Sequence, residues 1–428
     1  MNSVLLGQYD FVILGTHPAA LWGAILLLER DLKVLVLPML TTPATASSPI
    51  YSIPLIDEHP SHRFIPQFIL DSILKDIPAD QFHVTQLLTR DRRLRVFRKD
   101  NEFQEEWNFV LGKNANSEQL TSDKNTLKTT GALRRGLGYY VRGYESAPLF
   151  PEDLKFMISN QGSVFDLKPK ATSLPHFLFR KIEALGGHID FRACQSVFID
   201  KKVLVGIQLV GNPTMVSISQ AIIATSINKV QACLSEPLLI QSQPVGWNFE
   251  IRIQVSPEAV PIGATSKMIY TDDDAAIVEI IQIDAGDYIL RTMMPMKDFT
   301  LDREYQRKIA QRLVKLFSNY VPDLEYNLRS VFPDIRDPER AETRDLVDRY
   351  PFTHLASIPH SILSYAIPGL GHQSSVQGIS FAYEESYPRF GHWGAYQAAF
   401  LSIQDWAKKV QRTDFSTILP PLAVAVSR

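Results

Sequence analysis

Residues Tyr9 to Pro38, YDFVILGTHPAALWGAILLLERDLKVLVLP, restrict the fold more than any other stretch of the chain. Phe11 to Leu14 is a continuous apolar run, Gly15 to Ala20 has the composition of a turn, Ala19 to Arg30 has helical period, and Lys33 to Leu37 is a second apolar run. A strand buried on both faces needs an apolar residue at every position rather than at alternate ones. Two such runs joined by a helix read as parallel neighbours, since parallel strands need a crossover connection of this kind. The stretch therefore predicts strand, tight turn, helix and parallel strand, the beginning of an α/β layer.

When a turn of this kind binds a dinucleotide it reads G-x-G-x-x-G. The first glycine makes the turn, the second lets backbone approach the pyrophosphate, and the third lets helix and strand pack closely. The three positions here hold Gly15, His17 and Ala20. An imidazole thus stands where a phosphate would approach bare backbone. The acid that would bind ribose hydroxyls at the end of the second strand is replaced by Pro38, which has neither a carboxylate nor a backbone donor.

A chain of 428 residues is too long for one simple core, so two domains or one composite domain are expected. With 45% hydrophobic and 21% charged residues the composition is that of an ordinary soluble globular protein. A net charge of -2 argues against a nucleic-acid surface or a polybasic anchor. The two cysteines, Cys194 and Cys233, lack CxxC spacing and a His neighbourhood, which excludes a disulfide scaffold and a zinc site as expectations. No basic n-region precedes the first apolar segment, and no run approaches the roughly 20 apolar residues that span a bilayer, so a cytoplasmic location without a transmembrane segment is expected.

After Pro38 the Pro/Ser/Thr-rich stretch to His62 predicts an extended loop, and Ile65 to Ile77 a short amphipathic helix. Phe82 to Phe109 reads as two or three strands, with Leu94, Val96 and Phe97 near a buried face, and Gly112 to Thr130 as a polar loop. Helices are expected over Pro151 to Ile158 and Ser173 to Leu185, the second closed by Gly186-Gly187 in a left-handed cap. A strand HIDFRACQSVFID follows, then a turn at Asp200-Lys201-Lys202, the strand VLVGIQLV, a turn at Gly211-Asn212-Pro213, and the strand SQAIIATS. From Trp247 four strand-like runs, WNFEIRIQV, SKMIYTD, AAIVEIIQI and DYILRTMMP, predict an antiparallel meander. Leu301 to Tyr320 predicts a helix with Leu313, Leu316 and Phe317 on one face, and Gly378 to Lys409 a strand, a loop and a long helix starting near Ala395.

Three of these stretches together resemble the FAD-dependent amine oxidase and phytoene desaturase superfamily. In that family an N-terminal strand-helix-strand binds the ADP half of FAD, a GG-strand-hairpin-strand returns to the same domain, and a C-terminal segment closes on the flavin with G-D, an aromatic-Pro and a G-x-x-G-A helix start. Here the middle segment is Leu185, Gly186, Gly187 and His188, then Val205-Gly206-Ile207, then Ala221 to Thr225. The last is Tyr387-Pro388 and Gly391-x-x-Gly394-Ala395, with the G-D pair falling on Tyr383 and Glu384. The resemblance implies a Rossmann-like, FAD-type dinucleotide-binding domain with a second α+β domain built on an antiparallel sheet. It places the first domain at 1–60, 166–246 and 346–428 and the substrate or partner domain at 61–165 and 247–345. It also places the family's cofactor cleft at Gly15, Thr16, His17, Ala20, Glu384, Gly391, Gly394 and Ala395.

The departures fall where FAD would lie: His17, Pro38, Tyr383 in place of a glycine, and TTPATASSP where a GGR-like stretch is usual. His17 is either an anion ligand at a helix N-terminus or a polar residue satisfied by backbone. Glu384 is either a ligand to ribityl or phosphate or a carboxylate near a helix start. Arg134, Arg135, Tyr139, Tyr140 and Arg142 form either a cluster that holds an acidic ligand or partner or a solvated face with buried tyrosines. His354, His360 and His372 lack the spacing of metal ligands. Trp22, Trp393 and Tyr396 would fill the volume left by a missing flavin.

The expectation is a chain in which FAD, though possible, is lost, and which works by binding a hydrophobic small molecule or a protein partner and not nucleic acid. The Rab escort and GDP-dissociation-inhibitor proteins, similar in fold, bind prenylated partners. The alternatives are an active FAD-dependent oxidoreductase or desaturase acting on an isoprenoid or amine, with the cofactor doing the redox chemistry, and a structural subunit of a larger complex. No catalytic residue is identified.

Overall fold

The computed structural model describes residues 9–38, 85–88, 93–96, 135–136, 174–225, 227–238, 243–244, 246–261, 265–271, 277–295, 303–332, 364–365, 371–383, 385–387 and 392–415. In chain order the elements used below are β1 (Phe11–Gly15), α1 (Pro18–Leu28), β2 (Val34–Leu37), β3 (Thr85–Leu88), β4 (Arg93–Val96), α2 (Leu174–Ala184), β5 (His188–Ile189) and β6 (Cys194–Asp200). They continue with β7 (Val203–Leu209), β8 (Val216–Ser217), β9 (Ala221–Ala224), α3 (Ile227–Gln231), β10 (Gly246–Val255), β11 (Lys267–Tyr270) and β12 (Val278–Asp284). The last are β13 (Asp287–Pro295), α4 (Arg303–Ser318), α5 (Leu324–Asn327), β14 (Leu328–Phe332), β15 (Ile379–Phe381) and α6 (His392–Lys409). The chain divides into two compact units, one of Met1–His62, Thr172–Gln243 and Ser364–Arg428, the other of Arg63–Ala171 and Pro244–Leu363.

The first unit is built on a five-stranded parallel sheet of order β15-β9-β1-β2-β5. Every residue of β1, β2 and β9 is buried, as continuous apolar runs require when both faces are covered. Alternate side chains serve the two faces. Val12, Leu14, Leu35 and Ile223 pack with Val197, Ile207 and Val216 of the separate three-stranded sheet β6-β7-β8. Phe11 turns the other way, edge-on to Trp406 of α6 at 4.8 Å. Helix α1 is buried along its whole length, which explains why PAALWGAILLL has no polar side. Gly23 lets α6 close on α1, since a Cβ there would sit 3.2 Å from Ile403.

The cap at Gly186-Gly187 is a double closure: Gly186 has φ +83°, its N–H donates to the Glu183 carbonyl at 2.9 Å, and Gly187 N–H donates to the Ile182 carbonyl at 2.8 Å. Three expectations need correction. HIDFRACQSVFID is not one strand. His188 and Ile189 pair with β2, whereas Cys194–Asp200 belongs to the other sheet. The chain bends between them because the Asp190 carboxylate accepts from Arg192 N–H at 2.9 Å and from its guanidinium. Helix α1 ends at Leu28, and α6 begins at His392 rather than near Ala395.

The second unit holds a seven-stranded sheet of order β14-β10-β13-β12-β11-β3-β4. The expected meander holds for β11 to β13, but β10 pairs with β13 rather than with its sequence neighbour, and β3 joins β11 in parallel. One face, with Phe249, Ile251, Ile253, Val278, Ile280, Tyr288 and Leu290, packs on Ile309, Leu313 and Phe317 of α4. The other carries a row of charge. Lys267 Nζ lies 2.9 Å from Glu279 Oε1, Arg291 lies 3.5 Å from Glu279 Oε2, and Arg291 also pairs with Glu250. The cross-strand register Glu279↔Arg291↔Glu250 sets this row. The helices expected over Ile65 to Ile77 and Pro151 to Ile158, the loop over Gly112 to Thr130, and the burial of Leu94, Val96 and Phe97 lie outside the described residues.

Candidate functional site

In open α/β sheets ligands bind beyond the carboxyl ends of the strands. At that edge β1 ends in Gly15, whose φ of +116° is closed to side chains and whose added Cβ would lie 2.5 Å from the Ala224 carbonyl of β9. The tight turn into α1 thus depends on a bare backbone at this position. Thr16 and Ala20 are buried beside it.

His17 is the N-cap of α1, and its Nδ1 accepts from Ala19 N–H at 3.2 Å. The backbone donors of His17, Ala19, Ala20 and Leu21 each have a protein partner. His17 N–H donates to the Ala224 carbonyl, Pro18 has no N–H, and Ala20 and Leu21 donate to the His17 carbonyl. An anion site at a helix N-terminus consists of outward-facing N–H groups. Residues 17 to 21 direct theirs inward.

His17 is 4% exposed, and its ring is covered by aromatic side chains. Tyr383 meets it edge-on at 5.3 Å and Tyr396 at 6.5 Å, and Tyr396 in turn meets Trp22 at 6.0 Å. Gly394 and Ala395 bring Tyr396 here. They lie in the first turn of α6, and a Cβ on Gly394 would fall 2.3 Å from the Tyr387 carbonyl. Tyr383 arrives on the turn after β15, where Ala382 N–H donates to the Ile223 carbonyl of β9 at 2.8 Å and Ser386 N–H donates to the Tyr383 carbonyl at 2.9 Å. The structure therefore brings together Gly15, Thr16, His17, Ala20, Gly394 and Ala395. Glu384, Gly391 and the Trp393 side chain lie outside the described residues, as do Arg134, Tyr139, Tyr140, Arg142, His354 and His360.

Three features of this edge escape a reading of the sequence. Glu385, 2% exposed, accepts the Ile227 N–H at 3.0 Å through Oε2 and so seats the same turn against α3. Asp190 follows β5, the strand beside β2, so an acid does stand near the end of β2 although Pro38 is not one. Both its oxygens are bound by Arg192. Burial pushes the Asp190 carboxyl up, but those hydrogen bonds and the guanidinium charge outweigh it and hold the group below the usual carboxylate range. His372 joins Tyr387 and Asp405: its Nδ1 lies 2.7 Å from the Tyr387 hydroxyl and its Nε2 2.8 Å from Asp405 Oδ2. Among the described residues no helix is long and apolar enough to cross a membrane.

No protein-family model matches this sequence, and no curated protein does. Solved structures match it in fold. An oxidoreductase from Methanosarcina mazei superposes with TM-score 0.54 at 10% identity, over 92% of this chain and all of that one. A geranylgeranyl bacteriochlorophyll reductase-like protein from Thermoplasma acidophilum gives 0.50 at 9% identity, over 95% of this chain and 80% of that one. Putrescine oxidase bound to putrescine gives 0.50 at 15% identity, over 95% of this chain and all of that one. The fold is thus the Rossmann-like α/β architecture seen in these oxidoreductase structures.

Proposed function

We propose that this chain keeps the fold of a flavin oxidoreductase without its grip on FAD, and that it works by binding a hydrophobic ligand or a protein partner. The observation that carries this reading is the α1 N-terminus. A diphosphate needs backbone donors there, and the donors of residues 17 to 21 are already spent, one of them on the His17 ring itself. The residues present do not fit the group. Tyr383 and Tyr396 stand over the imidazole, and Asp190, an acid near the end of β2, is held by Arg192. The likeness to a geranylgeranyl bacteriochlorophyll reductase-like protein makes an isoprenoid the first ligand class to try.

The experiment is a titration of FAD and of ADP into the purified protein, followed by flavin fluorescence and calorimetry, for the wild type and for His17→Gly combined with Pro38→Glu. The reading expects no saturable binding by the wild type and measurable binding by the double variant. Saturable wild-type binding at micromolar FAD overturns it. A second reading, an active oxidoreductase acting on an isoprenoid or amine, draws on Gly15, whose φ of +116° keeps the tight turn of the dinucleotide motif. It requires the cofactor to be held by contacts other than the α1 N-terminus.

A further inference from the structure

We propose that Asp405, His372 and Tyr387 form a latch that holds Tyr383 and residues 385–387 over the carboxyl ends of β1 and β9, so that access to this edge of the sheet requires the latch to open. This inference does not rest on the loss of FAD; it concerns how any ligand reaches this edge of the sheet.

Three observations carry it. The first is the connection itself. With a neutral ring, the Tyr387 hydroxyl donates to His372 Nδ1 at 2.7 Å, and His372 Nε2–H donates to Asp405 Oδ2 at 2.8 Å. Gln373 Nε2 donates to the same oxygen at 2.5 Å. The three residues come from the segment before β15, the turn after it, and helix α6, so the chain ties the turn to the helix through side chains. The second is the position of what is tied. Tyr383 lies against His17, and Glu385 accepts the Ile227 N–H, so the turn bears on the ends of both strands.

The third is the contrast in burial. Tyr383, Glu385 and Ser386 are 6%, 2% and 1% exposed, whereas the side chains of His372 and Asp405 are 17% and 27% exposed. The fastening is polar and at the rim, while what it fastens is buried. A junction of that kind opens by exchanging hydrogen bonds for water without first exposing apolar core. The charged and titratable groups facing His372 are Tyr387 from the turn and Asp405 from α6, with Lys408 3.9 Å from the other Asp405 oxygen. Protonation of the ring turns Nδ1 from acceptor to donor toward the same hydroxyl and keeps the connection. The latch therefore depends on the hydroxyl and the carboxylate rather than on the ring's charge.

The test uses Tyr387→Phe, which removes one hydroxyl and no volume, and Asp405→Ala. Hydrogen–deuterium exchange is read over the β15 turn and over β1–β2. Acylation of His17 by diethyl pyrocarbonate is read by peptide mass spectrometry. The wild type should protect His17. Both variants should speed exchange in the turn and His17 acylation by roughly tenfold, with β1–β2 exchange unchanged. Unchanged exchange and acylation in both variants would overturn the latch. So would a parallel rise in β1–β2 exchange, which would mean the whole unit had loosened and the turn has no separate opening. Neither readout involves a flavin, so failure here and failure of the proposed function are distinguishable.

Discussion

Replacing His17 tests whether its ring does the work assigned to it, because three substitutions remove different parts of that work. His17→Ala deletes the acceptor that satisfies Ala19 N–H and the ring that packs on Tyr383 and Tyr396. Loss of a cap costs about 1 kcal/mol. Each aromatic contact contributes about 0.5–1.5 kcal/mol beyond its area. The expected total is about 2–4 kcal/mol, with the emptied volume pushing toward the upper end. His17→Asn restores a capping oxygen while still losing the ring, so it should recover about 1 kcal/mol of that. His17→Gly keeps a tolerated N-cap residue and should fall between the two. Urea unfolding followed by circular dichroism measures all three, with the first unit's transition separated from the second's by exchange-monitored peptides. If the alanine and asparagine variants unfold together, the Nδ1 contact stabilises nothing. The claim that the helix N-terminus is spent on its own cap would then be refuted.

Three further outcomes follow from the same coordinates. Lys267→Met alone should destabilise the second unit by about 3–5 kcal/mol, because it strips the buried Glu279 carboxylate of its nearest cation and leaves Arg291 at 3.5 Å. Lys267→Met with Glu279→Leu should cost less than the single change, as a double-mutant cycle on thermal unfolding will show. The Cys194 thiol, pushed up to about 12 chiefly by burial and further by Cys233, should resist iodoacetamide at pH 8 in the native protein and react after denaturation. Burial pushes the Asp405 carboxyl up, yet hydrogen bonds from His372 and Gln373 and the charges of His372 and Lys408 hold it below its ordinary value. Its contribution to the turn is therefore complete above about pH 4 and lost as pH falls through the lowered value. Exchange protection of the β15 turn, corrected for intrinsic rate, should fall with acid over that window.

The parts of this fold that can be read from sequence are those in which a local pattern has one physical solution. The apolar runs at Phe11 and Lys33 have no polar alternation and are too short for a buried helix, so they read as buried strands, and Gly186-Gly187 can end α2 because a glycine accepts φ +83°. The pairing of β10 with β13 is different: the two strands are separated by β11 and β12, and alternation says which face is buried but not which neighbour covers an edge. The bend at Asp190 is hidden because the strand pattern runs through it unbroken, and the turn is made by Arg192, whose N–H and guanidinium both bind the Asp190 carboxylate. At the site, the residues around Gly15 were legible through their spacing, and the two readings of His17 were both open. Choosing between them needs the direction of one ring nitrogen, which no pattern encodes. Asp405, His372 and Tyr387 carry no joint signal, since 15 and 33 residues separate His372 from its partners.

The most direct measurement is the visible absorption spectrum of the protein as purified, and again after incubation with excess FAD and removal of the unbound cofactor. An α1 N-terminus with its donors turned inward predicts a colourless protein in both cases. Flavin bands near one equivalent per chain would contradict it.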